Sequence, residues 1–553
     1  MSASTKKKLR KEQEAAMLTE RQQAEKAKAK KLKRNTIIFV SIIALIVVAF
    51  VGLVVYRWIT NNGIFEKATT AAEIGGKEFD SVEFNYYYND TVMESYSDWY
   101  SNASSYAEMA GASVEETIMM LYNVDPTKPL NEQYVDQEGT QTWYDYFLNE
   151  ALAKAQEDMA LVNAAKKAGF TLPESEKEIL HNQEHNLDAY AQIYGFTSVK
   201  GYLSGTYGNG ADVDTYMEYL ERQALADAYL AHYTEELGEK IYTDDEIAGI
   251  DSEDANKYTS HTYNYVYLSY TAFREENEDG STTYTDEQND AAREAAKKAA
   301  EALTSATTVE EFDEAIAALE LSTTSSTAQK NQLHSAVSIG VIADWLAEGG
   351  HNEGDIVVLA NESTSTDADG NETKTVNGYY VVRFGSTTDN KTPLNNIRHL
   401  LVSFDPDDAG IEVTDELKAE KLAKAEELLA EWKAGEATEA SFETLVREHS
   451  DDNADEGGLY TNVGAHTNFV EPFLNWCIDE ARQVGDCEIV ESEYGYHIMY
   501  YCGQTEYTYR EHLAMEDLRA AELEGWQTAQ IAATTATLEN TKYMNPEVLS
   551  GEG

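Results

Sequence analysis

The apolar pattern of this chain is unbroken at only one place. Residues 36–56, "TIIFVSIIALIVVAFVGLVVY", carry no charge and are almost wholly apolar. At about 1.5 Å per residue, a helix of that length spans a hydrocarbon core roughly 30 Å thick. Arg57 and Trp58 follow where an interfacial anchor belongs. The run is too long for the apolar region of a cleaved signal peptide. The basic segment before it is extended, and neither a small-residue cleavage site nor a lipid-accepting cysteine follows directly. The pattern predicts an uncleaved signal anchor over 36–56.

Beyond the anchor the apolar positions fall at helical intervals from about 70 to 245. "GGKEFDSVEFNYYY" opens with a Gly-Gly turn and spaces Phe79, Phe84 and Tyr87 as one helix face. "TWYDYFLNEALAKAQEDMALVNAAKKAGF" has Thr142 as a cap and Gly169 as a stop, and "LPESEKEIL" restarts a helix with Pro173 near its first turn. "DVDTYMEYLERQALADAYLAHYTEELG" predicts another helix, ending at Gly238.

From about 259 the pattern changes and repeats. Two segments, 259–389 and 394–505, share one order of elements. Each opens with a strand, "YNYVYLSY" or "NIRHLLVSF". A charged helix follows, then a helix around Phe312 or Phe442. A tryptophan-bearing segment comes next, then "GDIVVL" or "GDCEIV", and a closing strand after Gly-Tyr, "NGYYVVRFG" or "YGYHIMYYCG". This order predicts an α+β unit of strand, helices, strand, strand on an antiparallel sheet. A helix-like stretch, "REHLAMEDLRAAELEGWQTAQIAATTATLEN", and a polar tail fill 506–553.

Aligning the copies sets Tyr265 opposite His399 and Tyr380 opposite His497. A lone histidine in an apolar strand is ordinarily a core residue with its hydrogen bonds met. Two histidines in the first and last strands of one copy, both replaced by tyrosine in the other, fit a structural pair lost together. They also fit a site inactivated in one duplicate. "DADGNE", in the polar insertion of the earlier copy, lacks the spacing of a calcium loop and predicts a hairpin turn.

Charge sets the topology. Residues 1–34 have a clear basic excess, and the remainder is so acidic that the 553-residue chain carries a formal net charge of −57. A basic flank places the N-terminus in the cytoplasm and nearly all the chain on the extracellular face of the cell membrane. The acidic bulk argues against nucleic acid as a partner. The three cysteines, Cys477, Cys487 and Cys502, do not form a disulfide framework. A hairpin over 487–502 would bring Cys487 and Cys502 roughly opposite each other, which leaves a cross-strand disulfide or free thiols. No CxxC or His/Cys cluster indicates a metal, and no cofactor is expected.

The later copy resembles a parvulin-type peptidyl-prolyl cis/trans isomerase domain. The likeness is carried in order by "IRHLLVSF", "FETLVREHSDDNADEGGLYTNV", "FVEPFLNWCID" and "VGDCEIVESEYGYHIMYY". The exterior part as a whole is similar, on its architecture and on "GGKEFDSVEFNYYY", to the PrsA/SurA group of extracytoplasmic bacterial foldases. The resemblance implies a multidomain α+β chain: a basic cytoplasmic segment (1–35), a transmembrane anchor (36–56), a helical chaperone-like domain (70–245), a degenerate parvulin-like domain (259–389), an isomerase domain (394–505) and a C-terminal helix and tail. That last helix is either a peripheral solvated one or, as in the SurA group, one that packs back on the first helical region, here through Leu513, Leu518 and Trp526.

It also implies a site. His399, His497 and Asp452 are its polar catalytic cluster; Tyr460, Phe469, Phe473 and Tyr494 receive the substrate. Tyr460 and Phe469 stand where leucine and methionine are usual, which changes the shape of the slot. The acidic loop "DPDDAGIEVTDE" lacks the cations that a phosphorylated substrate needs. His449 and His466 lie outside the pattern and are expected at the surface. The implied partners are unfolded or partly folded exported proteins with X-Pro segments. Two readings follow: a membrane-tethered isomerase and chaperone, or a holdase whose parvulin-like domains only bind peptide.

Overall fold

The computed structural model describes residues 3–544 apart from 137, 253, 276–281, 322–325, 367–371, 406–409 and 411. The "DADGN" turn, residues 406–409 and 411 of the acidic loop and the polar tail from 545 onward lie outside the described residues. The chain divides into two compact units, residues 1–239 with 522–553, and residues 240–521.

In the first unit a single helix, Ala3–Asn61, contains both the basic segment and the apolar run. It is the one described helix long and apolar enough to cross a membrane, and its apolar side chains are exposed. Gly63, at φ 59°, begins the next short helix. Two strands follow, β1 (Thr70–Ile74) and β2 (Lys77–Asp80), joined at Gly75 and Gly76 with φ of 58° and 81°. Positive φ at both turn residues suits a tight hairpin.

Phe79 therefore sits on a strand, not on the helix that its spacing predicted. The reason is Asp80, whose carboxylate accepts the Val82 and Glu83 N–H groups in a capping box, so that the helix Ser81–Ala110 cannot start earlier. Thr142 and Gly169 cap the helix Trp143–Ala168 as expected. Pro173 is the residue just before the helix Glu174–Ile193, next to its first turn as expected. The tyrosines fill the core: Tyr86, Tyr87, Tyr88 and Tyr219 are fully buried, with Tyr86 stacked on Tyr219 at 5.3 Å between ring centroids. A third strand, Ala536–Leu538, pairs with β1 where the sequence indicated only helix and tail. Trp526 stacks on Tyr233 at 4.0 Å and packs beside Leu161, Val162 and Ala226.

The second unit holds two four-stranded antiparallel sheets of one topology. The earlier is built from β3 (Ser260–Ser269), β4 (Thr327–Leu333), β5 (Ile356–Thr366) and β6 (Glu372–Thr388), in the order β4-β3-β6-β5. The later is built from β7 (Pro393–Ser403), β8 (Leu459–Val463), β9 (Cys487–Glu491) and β10 (Gly495–Thr508), in the order β8-β7-β10-β9. Each sheet thus has one strand more than expected. Both extra strands are edges: "TAQKNQL" is polar and "LYTNV" is five residues long, so neither shows a sustained alternation.

In the later domain, helices Asp415–Ala434 and Glu439–His449 cover one face of the sheet through Leu428, Trp432 and Phe442 packed on Leu400, Ile498 and Tyr500. The short helix Glu471–Cys477 covers the other face through Phe473, Trp476 and Cys477 on Ile397, Met499 and Tyr501. The earlier domain repeats both layers, with Phe312 and Ile316 on one side and Ile342 and Leu346 on the other.

The registers of the two sheets coincide at the aligned positions. His399 lies opposite Met499, and His497 opposite Leu401. Tyr265 lies opposite Val382, and Tyr380 opposite Tyr267. In each domain the two aligned residues are thus diagonal neighbours on one face of the central strand pair. The β9–β10 register sets Tyr500, not Cys502, opposite Cys487, and all three cysteines are free. His466 is not a surface residue: it is half-buried and stacked on Tyr509 at 3.6 Å.

Candidate functional site

The site begins with the diagonal on β7 and β10. Diagonal residues of an antiparallel pair are about 7–8 Å apart at their backbones, within reach of two rings. His399 and His497 use that reach, with Nδ1 to Nδ1 at 3.3 Å. They are 1% and 5% exposed. Gly495 permits this pairing. Any Cβ there would lie 2.3 Å from the Val402 carbonyl oxygen, so the strand could not come alongside β7 with another residue at its start.

Asp452 is brought to the pair by a loop that replaces a strand. β8 pairs with β7 only as far as Arg398. Beyond it the loop after the helix Glu439–His449 satisfies the edge. Gly458 O accepts the His399 N–H, Ser450 Oγ accepts the Leu401 N–H, and Asp451 Oδ2 accepts the Ser403 N–H. This docking sets Asp452 Oδ2 3.4 Å from His399 Nε2 and 3.5 Å from the Tyr460 hydroxyl, which donates to it. The contact with His399 lies off the hydrogen-bond axis and is electrostatic in character.

At the other end of the pair, Ser492 Oγ lies 2.7 Å from His497 Nε2 and accepts the Tyr494 N–H at 3.1 Å. Nothing in the sequence pattern singled out Ser492. Its one signal is a position five residues before His497, across the turn at Gly495.

Proton positions follow from donor and acceptor chemistry. The His399 contact holds the Asp452 carboxyl below the usual range although burial opposes it, so Asp452 is an anion and can only accept. Burial, and then His399, push His497 down to about 4 against the pull of Asp452, so it is neutral near pH 7. With both rings uncharged, one assignment leaves every contact with a donor facing an acceptor. Ser492 O–H donates to His497 Nε2, His497 Nδ1–H donates to His399 Nδ1, and His399 Nε2–H faces Asp452. The reverse order would turn a bare nitrogen lone pair toward a carboxylate.

Aromatic rings wall the pair. Phe473 stands edge-on to both imidazoles, at 5.1 Å from His399 and 5.0 Å from His497. Phe469 is 4.9 Å from Phe473 and 5.2 Å from Tyr460, and Tyr460 is 5.2 Å from His399. Phe473 is buried, while Tyr460 and Phe469 are half-buried and line the open side. Six of the seven predicted residues therefore meet in one cluster. Tyr494 does not join it by its ring, which is 59% exposed; its backbone serves instead, giving its N–H to Ser492 and accepting the Phe404 N–H. Among the described residues no group of three or more His, Cys, Asp or Glu side chains could hold a metal ion.

The result is an apolar slot floored by the imidazole pair and edged by one carboxylate. It offers a water-poor wall for a ring and polar groups fixed beside it.

Residues 379–504 match the family model of the PPIC-type PPIase domain. The later α+β domain is accordingly a parvulin-type peptidyl-prolyl isomerase domain. Among solved structures the chain is similar to the PrsA peptidylprolyl isomerase of Bacillus anthracis (18% identity, 26% of this chain and 59% of that one, TM-score 0.17) and that of Bacillus cereus (21%, 26% and 50%, 0.17). It is also similar to PrsA of Bacillus subtilis (13%, 72% and 87%, 0.23). The alignments thus span 59% and 50% of the first two of these proteins. No curated protein matches the chain.

Proposed function

We propose that the chain is a membrane-anchored peptidyl-prolyl cis/trans isomerase and chaperone that acts on exported proteins outside the cell, with turnover in the later domain. The observation that carries this reading is Phe473 standing edge-on to a hydrogen-bonded pair, His399 and His497, inside a domain of the isomerase family. Rotation about an X-Pro bond meets a barrier of about 18–20 kcal/mol and needs no covalent step. The planar amide is the more charge-separated state. A dry aromatic slot disfavours it, and polar groups at the floor favour the twisted one.

In this reading Phe469, Phe473 and Tyr460 hold the proline ring. His399 and His497 act as one positioned dipolar unit, and Asp452 fixes its orientation. The basic segment, the apolar run and the exposure of that run support a single-pass anchor with the N-terminus in the cytoplasm.

The test is the cis-to-trans relaxation of unphosphorylated X-Pro peptides with the full chain in detergent. Acceleration is expected, falling about tenfold or more in Phe469→Ala and Phe473→Leu, which change the slot with little loss of core. Absence of acceleration with every peptide would reject turnover. A second reading, a holdase, is favoured by one observation: the earlier domain keeps the register of the site with Tyr265 and Tyr380 in place of the histidines. We assign it to that domain.

A further inference from the structure

The earlier domain keeps an apolar face, has no imidazoles at the aligned positions, and has something the later domain lacks. β9, at the edge of the later sheet, is five residues long and carries glutamates at 488 and 491. β5, in the same place in the earlier sheet, runs eleven residues and pairs with β6 from Ile356 to Thr366, with one irregularity between Asn361 and Glu362. Its outer edge has no strand beside it, and among the described residues no backbone group bonds to it.

An unpaired row of N–H and C=O groups is a template for another chain, and edges are ordinarily blunted by lysine, proline or a very short strand. β5 has no lysine, arginine or proline. Its single charge, Glu362, is met by Lys374 of β6 at 3.3 Å.

The regular half of this edge borders the tyrosine face. Val357 and Leu359 pack against the same apolar cluster as Tyr265, Tyr380 and Trp345, and Leu359 lies opposite Tyr380. Asn361 Nδ2 donates to the Tyr267 hydroxyl at 3.1 Å, and the Tyr267 ring is 4.7 Å from that of Tyr380. A strand added along Ile356–Asn361 would place every second side chain on the side of that face.

We propose that β5 binds an extended segment of unfolded polypeptide by strand addition. Main-chain hydrogen bonds supply the affinity, and the Tyr265–Tyr267–Tyr380 face selects the side chains. The guest is uncharged or basic, with β-branched or aromatic residues at alternate positions and no proline in the paired stretch, since proline has no N–H to give. A second copy of this chain is the disfavoured occupant, because two molecules of net charge −57 repel each other. The two domains then share an unfolded client between them, the later taking segments that contain proline and the earlier taking segments that do not. The inference rests on the reading above only in that the chain meets unfolded polypeptide; turnover has no part in it.

The test uses the full chain in detergent micelles and a lysine-flanked octapeptide alternating valine, tyrosine and threonine. Binding is followed by fluorescence anisotropy and by amide hydrogen exchange. Saturation is expected to slow exchange across 356–361 by about tenfold or more. Backbone N-methylation of every second peptide residue should weaken binding by about tenfold in one phase and far less in the other. Binding should persist in Phe469→Ala, so that loss of isomerase activity and loss of strand addition are read separately. The proposal is overturned by no binding at about 1 mM peptide, by binding with exchange over 356–361 unchanged, or by equal effects of both methylation phases. Protection of 356–361 that grows with protein concentration in the absence of peptide would also overturn it, by placing a second copy on the edge.

Discussion

Ser492 is the residue on which the proton order of the site turns. Its hydroxyl is the one donor facing His497 Nε2, and without it His497 is free to carry its proton on that nitrogen. Ser492→Ala is therefore expected to cost about 1 kcal/mol of stability, the worth of one buried hydrogen bond, and to lower isomerase activity about tenfold. Ser492→Thr should restore most of both. Nitrogen-15 shifts of the His497 ring provide the check: a tautomer change in the alanine variant is expected, and an unchanged ring would remove Ser492 from the chain of donors.

Asp452 shows the limit of what a residue can reveal by type alone. Its place beside the histidines depends on Ser450 and Asp451 docking on the edge of β7, contacts between residues some 48 positions apart. Tyr494 depends on a turn in a related way. It stands in the right stretch, but the turn that fixes its backbone sends its ring outward.

At the scale of elements, the register of β7 on β10 makes the site, and Gly495 makes the register. A methyl at residue 495 would meet the Val402 carbonyl oxygen at 2.3 Å, and one at residue 378 of the earlier domain would meet the Leu268 carbonyl oxygen at 2.4 Å. Gly495→Ala is expected to destabilise the later domain by about 3 kcal/mol. Gly525→Ala, at an exposed position inside the helix Tyr509–Ala533 with nothing within 4 Å, should stabilise by up to about 1 kcal/mol. Chemical denaturation of both variants tests the contrast.

Gly378 and Gly495 also explain how much was legible in the sequence. The Gly-Tyr turns aligned the two copies, and the alignment recovered a diagonal that both sheets adopt. Strong alternation revealed β3, β6, β7 and β10. It missed β4 and β8, whose residues are polar or few, because pairing by a neighbour and not burial on two faces defines an edge strand. The closing strand at Ala536–Leu538 was missed likewise, since three residues carry no period. Spacing alone puts Phe79 on a helix, when the capping box at Asp80 and Glu83 decides where that helix begins.

At the scale of the molecule, the two units respond to acid with opposite sign. In the unit of residues 240–521, burial lowers His261, His466 and His497 each to about 4, below an unfolded value near 6.5. Their contribution to stability is complete above pH 6.5 and is lost as pH falls through about 4. Each accounts for up to about 3 kcal/mol when fully protonated. In the other unit, burial raises Asp158 to about 6 and also raises Asp80, Asp90 and Asp227. A raised carboxylate acts the other way: its contribution is present at low pH and is lost as pH rises through the folded value. Acidification from pH 7 to about 4.5 should therefore lower the melting point of residues 240–521 relative to that of the first unit. Thermal proteolysis with peptide identification assigns each transition; units that shift together, or in the reverse order, would refute the assignment of these groups.

Turnover in the later domain and binding alone in the earlier are separated most directly by one exchange of residues. The double variant His399→Tyr with His497→Tyr gives the later domain the residues of the earlier at the same register. Its cis-to-trans relaxation rate on an unphosphorylated Ala-Pro peptide should fall to the uncatalysed value, while the peptide still binds and the domain still melts cooperatively. Catalysis at the parent rate in that folded variant would contradict the central role of the histidine pair, because the slot alone would then be the catalyst.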